Sequence, residues 1–472
     1  MVAVLLTATA CTAGQSAGGP GRPSSSDSSA SSGANAASSS PESSPLKGAW
    51  IDATADALGV TGDWTNKVEL ADIDGDGDVD ILFANGGDYD TAGKPVASRV
   101  FMNNGAGKFQ DATQRVFGKT KALARVIKVA DVNGDSAPDV VLGTTYDSQS
   151  RLFLGSSAGG WTDVTQKNFP AADLSAGDLE FGDVDGDEDL DIVIADWGDG
   201  SPLGRGGKVV LWLNNGAGKF TAAPAQMPNT LVQFSWDLEL LDVDNDWDLD
   251  LAVSCKTCPT SLLFVNDGRG TFADVSGKQM PAFPNNYEFA PIDLDGDRHL
   301  DLVTINDGPT RSAGLSEHVF RNDGTGAFVD VTDKWWPEQA NSGWDDNVVV
   351  GLDVESDGDA DFLVGSLDGP DRLLINDGSG GLMLAQDVFD VPASAGTLGL
   401  AVADLNGDGR LDVVDAQGEV SGHESEKVYF GTSVLKPDTA PPVVHVAVVG
   451  RTLLARVHDN RTPNMPHDWQ SV

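Results

Sequence analysis

The nonapeptide Asp72-Ile73-Asp74-Gly75-Asp76-Gly77-Asp78-Val79-Asp80, followed directly by the apolar run Ile81-Leu82-Phe83-Ala84, constrains this chain more than any other stretch. Its carboxylates stand at positions 1, 3, 5 and 9. Glycine at position 4 or 6 permits the positive φ of a tight wrap. Oxygen ligands at alternate positions of a short loop suit a hard cation such as Ca²⁺. The stretch recurs six more times, starting at Asp131, Asp183, Asp242, Asp293, Asp353 and Asp404, with spacings of 59, 52, 59, 51, 60 and 51 residues. Seven copies at this period predict one repetitive architecture rather than several unrelated domains.

Between successive acidic loops the pattern reads as four strands. In the third repeat these are Leu179–Gly182, Asp191–Ala195, Val209–Asn214 and a fourth beginning at Lys219-Phe220, after a tight Asn215-Gly216 turn. No useful length has helical periodicity. The predicted fold is therefore all-β, a seven-bladed β-propeller of four-stranded antiparallel blades, whose radial closure removes exposed sheet edges. Each acidic loop joins the first and second strands of its blade. Trp50-Ile51-Asp52-Ala53-Thr54 matches the fourth-strand sequences Phe109–Thr113 and Trp161–Thr165 but precedes the first repeat, while the seventh repeat stops after Lys427–Phe430. Residues 50–54 are thus expected to supply the outer strand of blade seven. Loops between second and third strands alternate long and short, so the face opposite the acidic loops should be uneven. The two-blade period of 110 or 111 residues suggests a duplicated pair.

Asp and Glu outnumber Lys and Arg by 72 to 30, a formal charge of -42 that repels nucleic acid. The loops account for 26 of those acids, so over a third of the acidity is committed to them.

The ends differ from the body. Residues 1–11 resemble the back half of an export signal, and Ala8-Thr9-Ala10-Cys11 resembles the lipobox of bacterial lipoproteins, although no basic stretch precedes it and Ala8 stands where leucine is usual. This makes Cys11 a possible lipid anchor and the expected location extracellular or at the cell surface. Residues 12–46 are a Ser/Gly/Ala-rich tether too poor in apolar surface to fold. The propeller should occupy 47–436. Residues 437–472 read as a linker and the start of an immunoglobulin-like β domain, with strands at Val443–Val449 and Leu453–His458.

The loops resemble the D-x-D-x-D-G-x-x-D pattern of the FG-GAP/VCBS repeat family, which includes the integrin α-chain propeller. The resemblance implies up to seven structural Ca²⁺ ions, each held by side chains at positions 1, 3, 5 and 9 and the carbonyl at position 7. Blade one would use Asp72, Asp74, Asp76, Asp78 and Asp80; blade two Asp131, Asn133, Asp135, Ala137 and Asp139; blade three Asp183, Asp185, Asp187, Asp189 and Asp191. Blade four would use Asp242, Asp244, Asp246, Asp248 and Asp250, and blade five Asp293, Asp295, Asp297, His299 and Asp301. Blade six offers Asp353, Glu355, Asp357, Asp359 and Asp361, and blade seven Asp404, Asn406, Asp408, Arg410 and Asp412. Free variation at position 7 agrees with use of its carbonyl alone. An EF-hand would need a Glu at position 12 and flanking helices, and neither is present. Two carboxylates about 5 Å apart repel by roughly 3 kcal/mol at an effective dielectric of ~20, so a four-acid loop without a cation should splay. Blades two and seven, with Asn at position 3, should bind metal more weakly, as should blade six, with Glu355 and with Ser356 in place of glycine.

Cys255-Lys256-Thr257-Cys258 reads as a local disulfide. Glu69, Lys128, Asp178, Glu180, Asp237, Glu239 and Glu288 lie on or beside first strands and should fill the channel as ion pairs, the alternative being a polar ring that holds water or a ligand. Trp64, Trp197, Trp236, Tyr287 and Trp344 fall near the uneven face, as blade wedges or as seats for a sugar ring or protein. His318 and His423 would be the candidate bases of a polysaccharide lyase or hydrolase, but no catalytic constellation can be picked out. The reading is a monomeric calcium-binding module for a protein or glycan ligand on the uneven face, touching membrane only through Cys11. The alternatives are a polysaccharide-active enzyme and a purely structural or calcium-buffering protein.

Overall fold

The structure is a computed structural model that describes residues 46–458, apart from 88–90, 199–205, 284, 307–315, 339, 342–343, 392–395, 419–424, 440, 442 and 450–451. The export signal, Cys11, nearly all of the tether and His423 lie outside the described residues.

Seven four-stranded antiparallel sheets are present. Their first strands are Thr65–Ala71, Ala124–Ala130, Ala176–Gly182, Leu238–Leu241, Asn286–Ile292, Asp346–Leu352 and Thr397–Ala403. Each lies against the first strands of both neighbouring blades, so the ring is closed. Seven apolar clusters fill it, one between each pair of adjacent blades. The second strands are buried almost throughout, because each is sandwiched between blades on both faces.

The seventh blade is closed by the N-terminal strand. Trp50 pairs with Gly431, Ile51 with Phe430 and Asp52 with Tyr429. The D-x-T ending of that strand explains its kinship with the other outer strands. The Thr54 N–H donates to Asp52 Oδ1 at 2.9 Å, starting one helical turn (Thr54–Ala57), and Thr54 Oγ1 accepts the Val428 N–H at 3.0 Å. Thr113, Thr165, Ser276 and Thr332 make the same pair of bonds in blades one, two, four and five. These single turns lack the length that periodicity can register.

Beyond the ring, Val443–Val449 and Thr452–His458 pair as an antiparallel hairpin. The remainder of the expected immunoglobulin-like segment lies outside the described residues.

Candidate metal centres

Each acidic loop is the turn between first and second strands, and position 9 opens the second strand. Positions 4 and 6 have positive φ in all seven loops, glycine or not: Asn245, Trp247 and Arg298 sit at 62°, 71° and 77°. The wrap is thus the same in every loop and is imposed even on side chains that resist it.

Positions 1 and 9 shape the loop through the backbone. In blade one, Asp72 accepts the N–H groups of Gly75, Asp76 and Gly77 at 2.8, 3.1 and 2.8 Å. Asp80 is buried, accepting the Ile73 N–H at 3.1 Å on one oxygen and the Asn103 N–H at 2.7 Å on the other. The same two bonds to position 9 recur at Asp139, Asp191, Asp250, Asp301, Asp361 and Asp412. Position 5 gives one oxygen to the N–H of position 7, as Asp76 does for Asp78 at 3.0 Å.

Position 3 is different. Asp74, Asp185, Asp244 and Asp295 each bury an Oδ1 that no protein group satisfies. In those four blades three carboxylates converge, with ligand atoms within 4.8 Å of one another: Asp72, Asp74 and Asp80; Asp183, Asp185 and Asp191; Asp242, Asp244 and Asp246; Asp293, Asp295 and Asp297. Buried, unsatisfied, convergent anionic oxygens fit a hard divalent cation. Blades two and seven compensate internally: the Asn133 amide donates to Asp139 at 3.2 Å and the Asn406 amide to Asp412 at 3.2 Å. Blade six, with Glu355, shows no such convergent trio among the described residues.

In five blades the position 7 side chain lies over the glycine of the next turn, whereas in blade seven Arg410 pairs with the position 5 carboxylate of Asp408 at 3.0 Å. Asp78, Asp189, Asp248, His299 and Asp359 lie so close over Gly105, Gly216, Gly268, Gly324 and Gly378 that a Cβ there would meet them at 3.0 Å or less.

Burial is the main reason why position 9 resists ionisation, outweighing two N–H donors that favour the charge. It lifts Asp80, Asp139 and Asp191 to about 7, and Asp250, Asp301, Asp361 and Asp412 to about 8.

One recurrent group escaped the sequence reading. Asn103, Asn214, Asn266 and Asn376 close the third strands and clamp two loops at once. The Asn214 amide donates to Leu190 O in its own loop at 3.0 Å and to Val132 O in the preceding blade's loop at 2.8 Å. Asn103, Asn266 and Asn376 repeat both bonds, while Asn322 shows the bond to the preceding blade, to Val243 O at 2.7 Å. The signal was present as an Asn before each Asn-Gly or Asp-Gly turn, but turn chemistry explained the motif without it.

The channel expectation holds for Lys128, Glu180, Asp237 and Glu288. Lys128 pairs with Glu180, and Lys67 with Glu288 at 3.0 Å and Asp237 at 3.8 Å, all buried or nearly so. Arg125 closes the uneven end, stacked 3.6 Å over the Trp236 ring and donating to Tyr287 Oη at 3.3 Å. Trp197, Trp236 and Tyr287 are buried with Phe234 in one aromatic cluster, so they are wedges and not surface seats. Trp344 is 38% exposed, its ring laid against Gly369. His318 Nδ1 lies 2.8 Å from Asp330, the cross-strand place where Arg99 meets Asp111 and Arg151 meets Asp163, so it serves the sheet. Cys255 and Cys258 form a disulfide.

The FG-GAP-like repeat family model matches residues 72–142, 131–194 and 353–414, taking in five of the seven loops. No curated protein matches the sequence. Among solved structures, a chain in the crystal structure of BBS1N in complex with ARL6DN, soaked with lead, aligns at 10% identity over 83% of this chain and 100% of that one, with a TM-score of 0.50. A protein from Lactobacillus plantarum aligns at 14% identity over 70% and 85%, TM-score 0.43. The V. cholerae biofilm matrix protein Bap1 aligns at 14% identity over 81% and 90%, TM-score 0.41. With the same loop heading all seven four-stranded blades, the chain is a seven-bladed β-propeller that carries FG-GAP-like repeats.

Proposed function

We propose that this propeller is an exported, calcium-stabilised ligand-binding or adhesion module at the cell surface. The observation that carries the calcium reading is the unsatisfied position 3 oxygen, which recurs in the four loops whose carboxylates converge. Asp72, Asp74, Asp76 and Asp80, with the Asp78 carbonyl, would hold the ion of blade one, and the same offsets would serve the other loops. Ligands at alternate positions surround the ion and leave substrate no open position, so its work is structural. Among the described residues no helix is long and apolar enough to cross a membrane, and attachment would run through Cys11 and the tether.

The ligand is a protein or a glycan held by the uneven face. Trp344 supports this, as its ring rests on the Gly369 backbone and stands beside a groove of about 790 Å³ whose lining includes Asp371, Gln386 and Asp390. A ring fixed on one side and wet on the other suits stacking on a sugar or a partner side chain. Two experiments test the reading. Chelation should lower the thermal midpoint, and an unchanged melting curve would remove the calcium claim. A glycan array followed by mass analysis of any hit separates the roles: unaltered bound glycan supports a module, and chain shortening would assign a polysaccharide-active enzyme instead.

A further inference from the structure

The third-strand residue just before the clamp position is apolar in six blades: Met102, Leu154, Leu213, Val265, Ile375 and Phe430. In blade five it is Arg321. Its Nε lies 2.6 Å from Asp295 Oδ2 and its Nη2 2.5 Å from Asp297 Oδ2, which are positions 3 and 5 of the loop. The other Asp297 oxygen already accepts the His299 N–H at 3.0 Å. Arg321 therefore takes the oxygen that position 5 has left for an ion. The contact in blade one is of another kind. Arg115 reaches only Asp74 Oδ2, at 3.1 Å, from a half-exposed position, and leaves Asp76 free of it.

A guanidinium stays charged and presents a rigid fork of donors that fits two carboxylate oxygens. Those two carboxylates in turn hold Arg321 above its usual pKa, through hydrogen bonding first. A divalent ion entering this loop would have to displace a charge-assisted bond or settle beside a positive charge. We infer that Arg321 is the resident cation of the blade-five cage, which protein charge holds shut and which is the last of the four convergent cages to take calcium. This rests on the calcium reading of the other cages. Asp293 and Asp295 each keep one buried oxygen without a partner, so the opposite role, Arg321 orienting those oxygens for the metal, is the competing arrangement.

Native mass spectrometry of the whole protein at graded free calcium tests it through ion counts. At calcium levels that leave the wild-type blade-five cage empty, Arg321→Met should carry one more ion, the new site binding on the order of 10-fold tighter than the original. Asp295→Asn should leave the count unchanged there, whereas Asp185→Asn in blade three should lower it by one. An unchanged or reduced count in Arg321→Met, or a lost ion in Asp295→Asn, would overturn the inference; the second readout stands even if Arg321→Met does not fold. A wild-type count of zero at every concentration would instead overturn the calcium reading, and this inference with it.

Discussion

The indole N–H of Trp50 donates to the carbonyl of Leu411 at 2.8 Å, joining residues 361 positions apart. Leu411 is position 8 of the last acidic loop, so the strand that closes the ring also fastens that loop. Trp50 is fully buried and stacks on Phe389 at 5.3 Å between ring centroids. Trp50→Ala should cost about 3–5 kcal/mol, through the lost burial, the cavity and an unpaired carbonyl. Urea unfolding checks this: the midpoint should fall with the slope unchanged. An unshifted midpoint would mean that the closing strand adds nothing to stability.

Asn406 offers a test of charge within a loop. Its amide donates to Asp412 where the other sites would place an ion. Asn406→Asp removes that donor and sets a fourth carboxylate among three, each close pair repelling by roughly 3 kcal/mol before relaxation. In chelator the variant should be less stable than wild type, by about 1–3 kcal/mol after the loop relaxes. In saturating calcium the deficit should vanish or reverse. Melting curves in both conditions decide it, and a deficit unaffected by calcium would show that blade seven holds no ion.

The channel acids set a pH dependence that is separate from the loops. Burial, then the carboxylates of Asp237 and Glu180, push Glu239 well above the usual range, and burial lifts Glu69 to about 7. Both folded values exceed the unfolded one, so the folded chain holds protons that the unfolded chain releases. The stability they contribute is complete below about 4.5 and is lost as pH rises through the folded values, each group contributing up to about 1.4 kcal/mol per pH unit. At saturating calcium, Glu239→Gln should therefore melt above wild type at pH 8 and close to it at pH 5. Equal shifts at both values would mean that Glu239 is not proton-linked.

How far the sequence could be read depended on whether a feature repeats as residue identity or as geometry. Asp72 and its six counterparts reveal the loop because ligand chemistry admits few residue types, and Trp50 to Thr54 announce the missing strand because D-x-T must be kept to start the one-turn helix. The absence of a convergent carboxylate trio from blades two, six and seven, among the described residues, goes with Asn133 and Asn406 at position 3 and with Glu355 and Ser356 in blade six. Arg321 gives no signal in the sequence because its contact lies across the blade, at a strand position where periodicity records only inside and outside. Trp197 and Trp236 sit near loops in sequence, yet the convergence of blades at the axis buries them together, which only the closed ring reveals.

Asn266 tests whether neighbouring cages act together. Its side-chain amide donates to Leu249 O in the blade-four loop at 3.1 Å and to Val184 O in the blade-three loop at 2.8 Å. Asn266→Ala leaves both buried carbonyls short of a donor, a loss of about 2–4 kcal/mol for the two bonds together. If the clamp holds the two loops in register, calcium binding in blades three and four should both weaken, although Asn266 touches neither ion. A double-mutant cycle with Asp185→Asn, read by thermal midpoint at fixed calcium, separates coupling from simple addition. The cycle should return an interaction of about 1 kcal/mol or more, because removing the blade-three ion frees the loop that the clamp was holding. Additive losses would reduce Asn266 to an ordinary buried hydrogen-bond donor, and the ring to seven cages that fill independently.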